Sequence, residues 1–204
     1  AILVTKSGRT LDLAGLARNL EGKVPEVKSF WSVENDRISD VVDFERKKHV
    51  AGRLFIQETL GGLSFRITPE SFFQPNPKAA EILYGRIVEE ARLLRSRKAL
   101  GLYCGPGSIE IFLSRVVDEI IGDDSEAMNI RTAEENCRTN GIANCRFIEG
   151  RVEQALKGMN LEGVDLAVLD PPRAGISGKG LKQIMSLNLP ALIYVSCNPA
   201  AFAR

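Results

Sequence analysis

At 204 residues and 44% hydrophobic content the chain is long enough to bury a sizeable core in one or two domains, which excludes a disordered polypeptide. Its 27 Lys and Arg oppose 26 Asp and Glu for a formal charge of +1, so no global basic field advertises nucleic acid and any RNA contact must be local. Cys104, Cys137, Cys145 and Cys197 share no C-x-x-C spacing and the single His49 has no ligand-like neighbours, which excludes a structural zinc site and a disulfide framework. No run of about 18 apolar residues is present, and Ala1 to Asn19 lacks the layout of a signal peptide, so the expectation is a reduced, cytoplasmic, metal-free monomer without membrane attachment.

Residues 1–68 carry short β-compatible runs, Ile2 to Thr5, Lys28 to Val33 and Gly52 to Glu58, punctuated by Gly8, Gly22, Gly61 and Gly62. They read as a small sheet-rich α+β unit. Residues 69–204 have a different texture. Pro77 opens a helical segment with apolar Ile82, Leu83, Ile87 and Val88, running to about Leu94. Short apolar runs then alternate with amphipathic segments: Ala99 to Tyr103, Ser108 to Val116, Glu119 to Gly122 and Glu126 to Asn140. Arg146 to Ile148, Val152 to Lys157, Leu166 to Leu169, Gly180 to Leu187 and Ala191 to Val195 continue the series. Such alternation predicts a parallel, doubly wound α/β sheet, whose ligands sit beyond the carboxyl ends of the strands near the switch point in strand order.

Four of these strand ends carry chemistry. Leu102-Tyr103-Cys104-Gly105-Pro106-Gly107-Ser108 joins a strand to a helix, and its glycines let the backbone approach a ligand closely. A dinucleotide fingerprint would place a third glycine at position 110, where Glu110 stands. That residue favours a cofactor without a pyrophosphate, although a tight turn with no ligand is the plainer alternative. The next strand ends in Asp123 and Asp124; such a pair is a solvated turn or helix cap when isolated, but after a glycine loop it suits the two hydroxyls of a ribose. Asp170-Pro171-Pro172-Arg173 stiffens a third strand end and fixes Asp170 there. Cys197 follows the fourth strand and precedes an Asn-Pro turn, a position from which a thiolate can face the cleft; buried Cys104, Cys137 and Cys145 read as inert small hydrophobes.

Five motifs in order carry a resemblance: Ser71-Phe72-Phe73-Gln74-Pro75-Asn76, Leu102 to Gly107, Asn136-Cys137-Arg138-Thr139-Asn140-Gly141-Ile142, Asp170-Pro171-Pro172-Arg173-Ala174-Gly175, and Val195-Ser196-Cys197-Asn198-Pro199. Together they resemble the RNA uracil-5-methyltransferases that modify tRNA and ribosomal RNA, over essentially the whole chain. The resemblance implies a Rossmann-like S-adenosylmethionine-dependent methyltransferase sheet over residues 69–204, preceded by an RNA-side unit over 1–68. It also implies that Gln74, Tyr103, Gly105, Gly107, Asp124 and Asp170 hold S-adenosylmethionine and that Cys197 adds to C6 of a uracil. The target base would leave its stack at an unstacking cost of about a few kcal/mol.

Two positions depart from that pattern: Gly101 stands where the family has an acid, and Arg151 where an Asp or Asn is common. The family also has an N-terminal RNA-binding barrel, in some members an iron-sulfur cysteine cluster, and a glutamate-bearing segment after the cysteine motif, none of which lies within the sequence up to Arg204. A chain without that glutamate is expected to form adducts and to stall before turnover. Competing readings are an amino methyltransferase using the Asp-Pro-Pro-Arg loop, a binding module without turnover, and an NAD-dependent oxidoreductase, which Glu110 disfavours.

Overall fold

The computed structural model describes residues 1–36, 44 and 46–198, so Pro199 of the last motif lies outside the described residues. Two compact units form: Ala1–Glu58 with Arg66–Glu70, and Thr59–Phe65 with Ser71–Arg204.

In the first unit, β1 (Ile2–Thr5), α1 (Leu13–Lys23), β2 (Ser29–Glu34) and β3 (Arg46–Gly52) build a three-stranded sheet in the order β1-β2-β3. The β1–β2 pair is parallel, with α1 as its connection, and β2–β3 is antiparallel. Strand β1 has the bounds read from sequence and β2 is shifted by one residue. The run from Gly52 to Glu58 is not one strand. Gly52 ends β3 at φ +78°, where a Cβ would collide with the Lys28 carbonyl, and β4 (Ile56–Leu60) starts afresh. Helix α1 was not legible, because Gly15, Asn19 and Gly22 dilute its propensity and it buries no residue fully. It starts where Asp12 accepts a hydrogen bond from the Gly15 N–H at 2.8 Å.

Strands β4 and β5 (Leu63–Ile67) form a hairpin through Gly61 and Gly62, both at positive φ, as a two-residue turn requires. Leu60, Leu63 and Phe65 from this hairpin join the core of the second unit.

The second unit opens with α2 (Pro77–Leu93), capped by Asn76, whose side chain accepts from the Ala79 N–H at 3.1 Å. Ala80, Tyr84, Ile87 and Ala91 form its buried face, whereas Ile82, expected among the apolar positions, is 76% exposed. There follow β6 (Lys98–Leu102), α3 (Ser108–Leu113), β7 (Glu119–Asp124), α4 (Ala127–Thr139), β8 (Cys145–Glu149), α5 (Val152–Gly158), β9 (Leu166–Leu169), α6 (Gly178–Ser186) and β10 (Ala191–Tyr194). The five strands form one wholly parallel sheet in the order β10-β9-β6-β7-β8. Strands covered on both faces must be apolar throughout, and Leu166–Leu169 is buried at every position. Residues of α2, α3 and α4 pack on one face with Ala99, and residues of α5 and α6 pack on the other with Leu100 and Leu102. This is the parallel, doubly wound α/β sheet expected from the strand–helix alternation, in the Rossmann-like form that the resemblance implies. No helix among the described residues is long and apolar enough to cross a membrane.

The Asn136 to Ile142 motif has a structural use. Asn136 is fully buried and donates from Nδ2 to the Pro106 carbonyl at 3.0 Å, tying α4 to the glycine loop. Asn140 accepts from the Ser64 N–H at 2.8 Å and donates to the Ser64 carbonyl at 2.7 Å. Asn136→Ala leaves a buried carbonyl without its donor and opens a void. It is expected to cost about 2–3 kcal/mol in urea unfolding.

Candidate active site at the carboxyl edge of the parallel sheet

From β6 the chain builds β7 and β8 to one side, then returns to place β9 and β10 on the other. The switch in strand order therefore falls between β6 and β9, the crevice in which such sheets bind ligands. Tyr103 follows β6 there, Asp124 ends β7, Asp170 follows β9 and Cys197 lies three residues beyond β10. The sequence-derived residues Tyr103, Gly105, Gly107, Asp124, Asp170 and Cys197 thus share one edge of the sheet. Gln74 does not come from a strand end; it is half-buried in the segment leading to the Asn76 cap of α2.

The glycine loop is tightly held. Tyr103, Gly105 and Gly107 all have positive φ, at 64°, 54° and 79°. The Cys104 N–H donates to the Asp123 carbonyl at 2.8 Å, and the Gly107 N–H to the Cys104 carbonyl at 3.0 Å. Asp124 is the clamp: Oδ2 accepts from the Gly105 N–H at 2.9 Å, while Oδ1 accepts from the Glu126 N–H at 2.9 Å and Asn129 Nδ2 at 3.1 Å. The acid expected either as a ribose ligand or as a turn or helix cap therefore fixes the glycine loop and the turn into α4.

Across the switch point, the Asp170 N–H donates to the Leu102 carbonyl at 3.2 Å, and the Gly175 N–H closes the following turn on the Pro172 carbonyl at 2.7 Å. The Val195 N–H extends the ladder past β10 by donating to the Leu169 carbonyl at 2.8 Å. Ser196 and Asn198 exchange hydrogen bonds around Cys197, with Ser196 Oγ donating to the Asn198 carbonyl at 3.0 Å and the Asn198 N–H to Ser196 Oγ at 3.1 Å. Asn198 Nδ2 reaches the Arg173 carbonyl at 3.5 Å and so joins the cysteine loop to the Asp170 loop. Cys197 is exposed, whereas Cys104 and Cys137 are buried and Cys145 is half-buried.

The electrostatics single out acids that sequence reasoning undervalued. Burial pushes the Asp170 carboxyl up to about 6. Asp123, fully buried, is pushed up to about 7 by the same cause, against the opposing help of the Tyr103 N–H. Glu110, legible only as a missing glycine, is 2% exposed, and burial carries its carboxyl to about 8. The available signal was an acid inside the otherwise apolar run Ile109 to Leu113, all of which is buried. The Tyr103 phenol, raised to about 12 chiefly by burial and then by the charge of Glu153, stays a hydrogen-bond donor.

These shifts fix the sign of a pH effect. A carboxyl that titrates near 4.5 when unfolded and at about 8 when folded stabilises the fold fully below pH 4.5, and that contribution is lost as pH rises through 8. Asp170 and Asp123 act in the same direction at lower pH. Urea unfolding between pH 5 and 8.5 is expected to show stability falling as pH rises, by roughly 1 kcal/mol or more per pH unit, with a shallower slope in Glu110→Gln.

Residues 36–204 match the family model described as tRNA (Uracil-5-)-methyltransferase. An uncharacterized RNA methyltransferase of Halalkalibacterium halodurans is 33% identical over 205 residues, covering 100% of this chain and 45% of the relative. One from Clostridium tetani is 38% identical over 165 residues, 81% of this chain and 36% of the relative. The chain thus spans less than half the length of these relatives. Among solved structures, a Pyrococcus abyssi tRNA (uracil-54, C5)-methyltransferase in complex with S-adenosyl-L-homocysteine superposes with a TM-score of 0.74 at 30% identity, over 100% of this chain and 47% of that one. Trm5b from Pyrococcus abyssi, at 17% identity and a TM-score of 0.61, shares the fold over 91% of this chain and 53% of its own.

Proposed function

Because the chain belongs to the tRNA (uracil-5-)-methyltransferase family, we propose that it takes part in S-adenosylmethionine-dependent methylation of uracil C5 in tRNA or rRNA, with Cys197 as nucleophile. The observation that carries this reading is the placement of an exposed cysteine on a loop bonded to the Asp170 loop, at the edge of the sheet that also holds the glycine loop and Asp124.

The residues fit the cofactor. Gly105 and Gly107 bring backbone close to a ligand, and Asp124 stands at the strand end suited to ribose hydroxyls. Half-buried Asp170 with buried Asp123 and Glu110 makes the crevice rich in carboxyl groups, which suits a cationic sulfonium and α-ammonium and disfavours a pyrophosphate. Gln74, Tyr103, Gly105, Gly107, Asp124 and Asp170 are assigned to hold it. When bound, S-adenosylmethionine supplies an electrophilic methyl group.

The protein's own part in the chemistry starts from a ring carbon that is a poor nucleophile. The Cys197 thiolate adds to uracil C6, forming an S–C6 bond and moving the C5=C6 electron pair toward C5 and the O4 enolate. C5 thereby becomes able to take the methyl group. Loss of the C5 proton to a base and expulsion of the thiolate then restore the C5=C6 double bond. The Ser196–Asn198 exchange and the Asn198–Arg173 bond hold the cysteine loop in place through these steps. The first unit is assigned to RNA; its β3 carries Arg46, Lys47 and Lys48 consecutively.

Nucleoside analysis of tRNA and rRNA incubated with the protein and S-adenosylmethionine is the test. It is expected to yield uridine methylated at C5, released as 5-methyluridine where a base removes the C5 proton and held through sulfur on Cys197 where none does. Methylation of an adenine or cytosine amino group instead would favour a reading in which the Asp170-Pro171-Pro172 loop serves an amino methyltransferase.

A further inference from the structure

Glu110 has no evident structural reason to be an acid. It lies on α3 within an apolar segment, fully buried, and its Oε2 has no hydrogen-bond partner. Its carboxylate lies directly against the Cα of Gly101 on β6, where a Cβ would overlap it. The titratable groups around it are Asp170 beyond β9, Asp123 on β7, Tyr84 on α2, Cys137 on α4 and Cys104 after β6, while its backbone carbonyl faces the Cys145 thiol on β8 at 3.7 Å. No lysine or arginine figures among these neighbours. A buried ionisable group with neither a cation nor a full set of hydrogen bonds is costly, so its presence points to a positive charge that arrives with a ligand.

The crevice gives that charge a location. With Asp124 on β7 assigned to the ribose, the methionine end of the cofactor would fall to the neighbouring strands β6 and β9, where Gly101 and Asp170 lie. Resting on the reading that this crevice takes S-adenosylmethionine, we propose that Glu110 is a positioning residue for the cofactor's methionine end. Its carboxylate acts from beneath Gly101 as the counter-charge to the cation there. In the free protein the carboxyl is largely protonated at neutral pH, because burial raises it to about 8. Arrival of the ligand's positive charge lowers it again, so binding and loss of the Glu110 proton are coupled.

Titration calorimetry of the protein with S-adenosylmethionine and with S-adenosylhomocysteine at pH 7, in two buffers of different ionisation enthalpy, tests this. The unmodified protein is expected to release more protons per ligand bound than Glu110→Gln, and the variant to bind about tenfold more weakly. Glu110→Asp, which keeps the charge, is expected to retain the excess proton release. A defect confined to S-adenosylmethionine identifies the sulfonium as the charge sensed, and one shared by both ligands identifies the α-ammonium; either supports the proposal. Equal affinity and equal proton release in the unmodified protein and Glu110→Gln would overturn it. Binding of neither ligand by the unmodified protein would overturn the cofactor reading itself and the proposal with it.

Discussion

Cys197→Ala is expected to lower methyl transfer to RNA by roughly 10⁴-fold or more while leaving cofactor binding and thermal unfolding unchanged. The size follows from the chemistry, because without sulfur addition at C6 there is no enolate and C5 has little nucleophilic character. The selectivity follows from the structure. Cys197 is exposed, and the bonds that shape its loop run between Ser196 and Asn198 and from Asn198 to Arg173, none of them through the sulfur. Truncation therefore removes a reactive group without opening a core cavity. Cys197→Ser is expected to be nearly as inactive, since a hydroxyl is far less ionised than a thiol at neutral pH. Filter-binding assays of methyl incorporation, paired with calorimetry for the cofactor, separate the chemical defect from a binding defect.

Gly107→Ala is expected to be the most damaging small substitution in the glycine loop, costing about 2–4 kcal/mol in urea unfolding and, if the proposed site is correct, weakening S-adenosylmethionine in parallel. Its φ of 79° is in the left-handed region, a strain of about 1 kcal/mol for any residue with a Cβ. That Cβ would also lie 2.9 Å from Ala133 Cβ, 3.0 Å from Phe147 Cζ and 3.3 Å from Ala133 Cα. The α4 backbone would have to move, and the loop with it. Gly105 is the control: its φ is 54°, but nothing lies within 4 Å of a Cβ there. Gly105→Ala is accordingly expected to cost only the backbone strain, about 1 kcal/mol.

The parallel sheet was legible because its inner strands are buried on both faces, so Leu166–Leu169 stands out as a short apolar run between amphipathic segments, while the edge strand Ala191–Tyr194 keeps the same apolar composition although Leu192 is 45% exposed. The strand-end residues were legible for the same reason, since each follows such a run. The first unit was harder to read. Its β3 begins Arg46-Lys47-Lys48-His49, which looks like a solvated charge run; the strand exists because it pairs along β2, a contact that local sequence does not encode. Within the site, the roles of Asn136 and Asp124 in holding the loop depend on partners up to 30 residues away, such as Pro106 for Asn136, and no spacing rule reveals them. Glu110 was read by what it was not, a third glycine, because an inward-facing acid on a six-residue helix has no periodic signature.

The proposed function requires that Cys197 bond covalently to the uracil it prepares for methylation. It is tested most directly with RNA carrying 5-fluorouracil, in which fluorine cannot leave C5 as the proton does, so elimination of the thiolate is blocked and the adduct accumulates. After incubation with S-adenosylmethionine and proteolysis, mass spectrometry is expected to find a methylated fluorouracil nucleotide on the peptide containing Cys197. Absence of that adduct, together with 5-methyluridine formed on ordinary RNA by Cys197→Ala, would contradict the account.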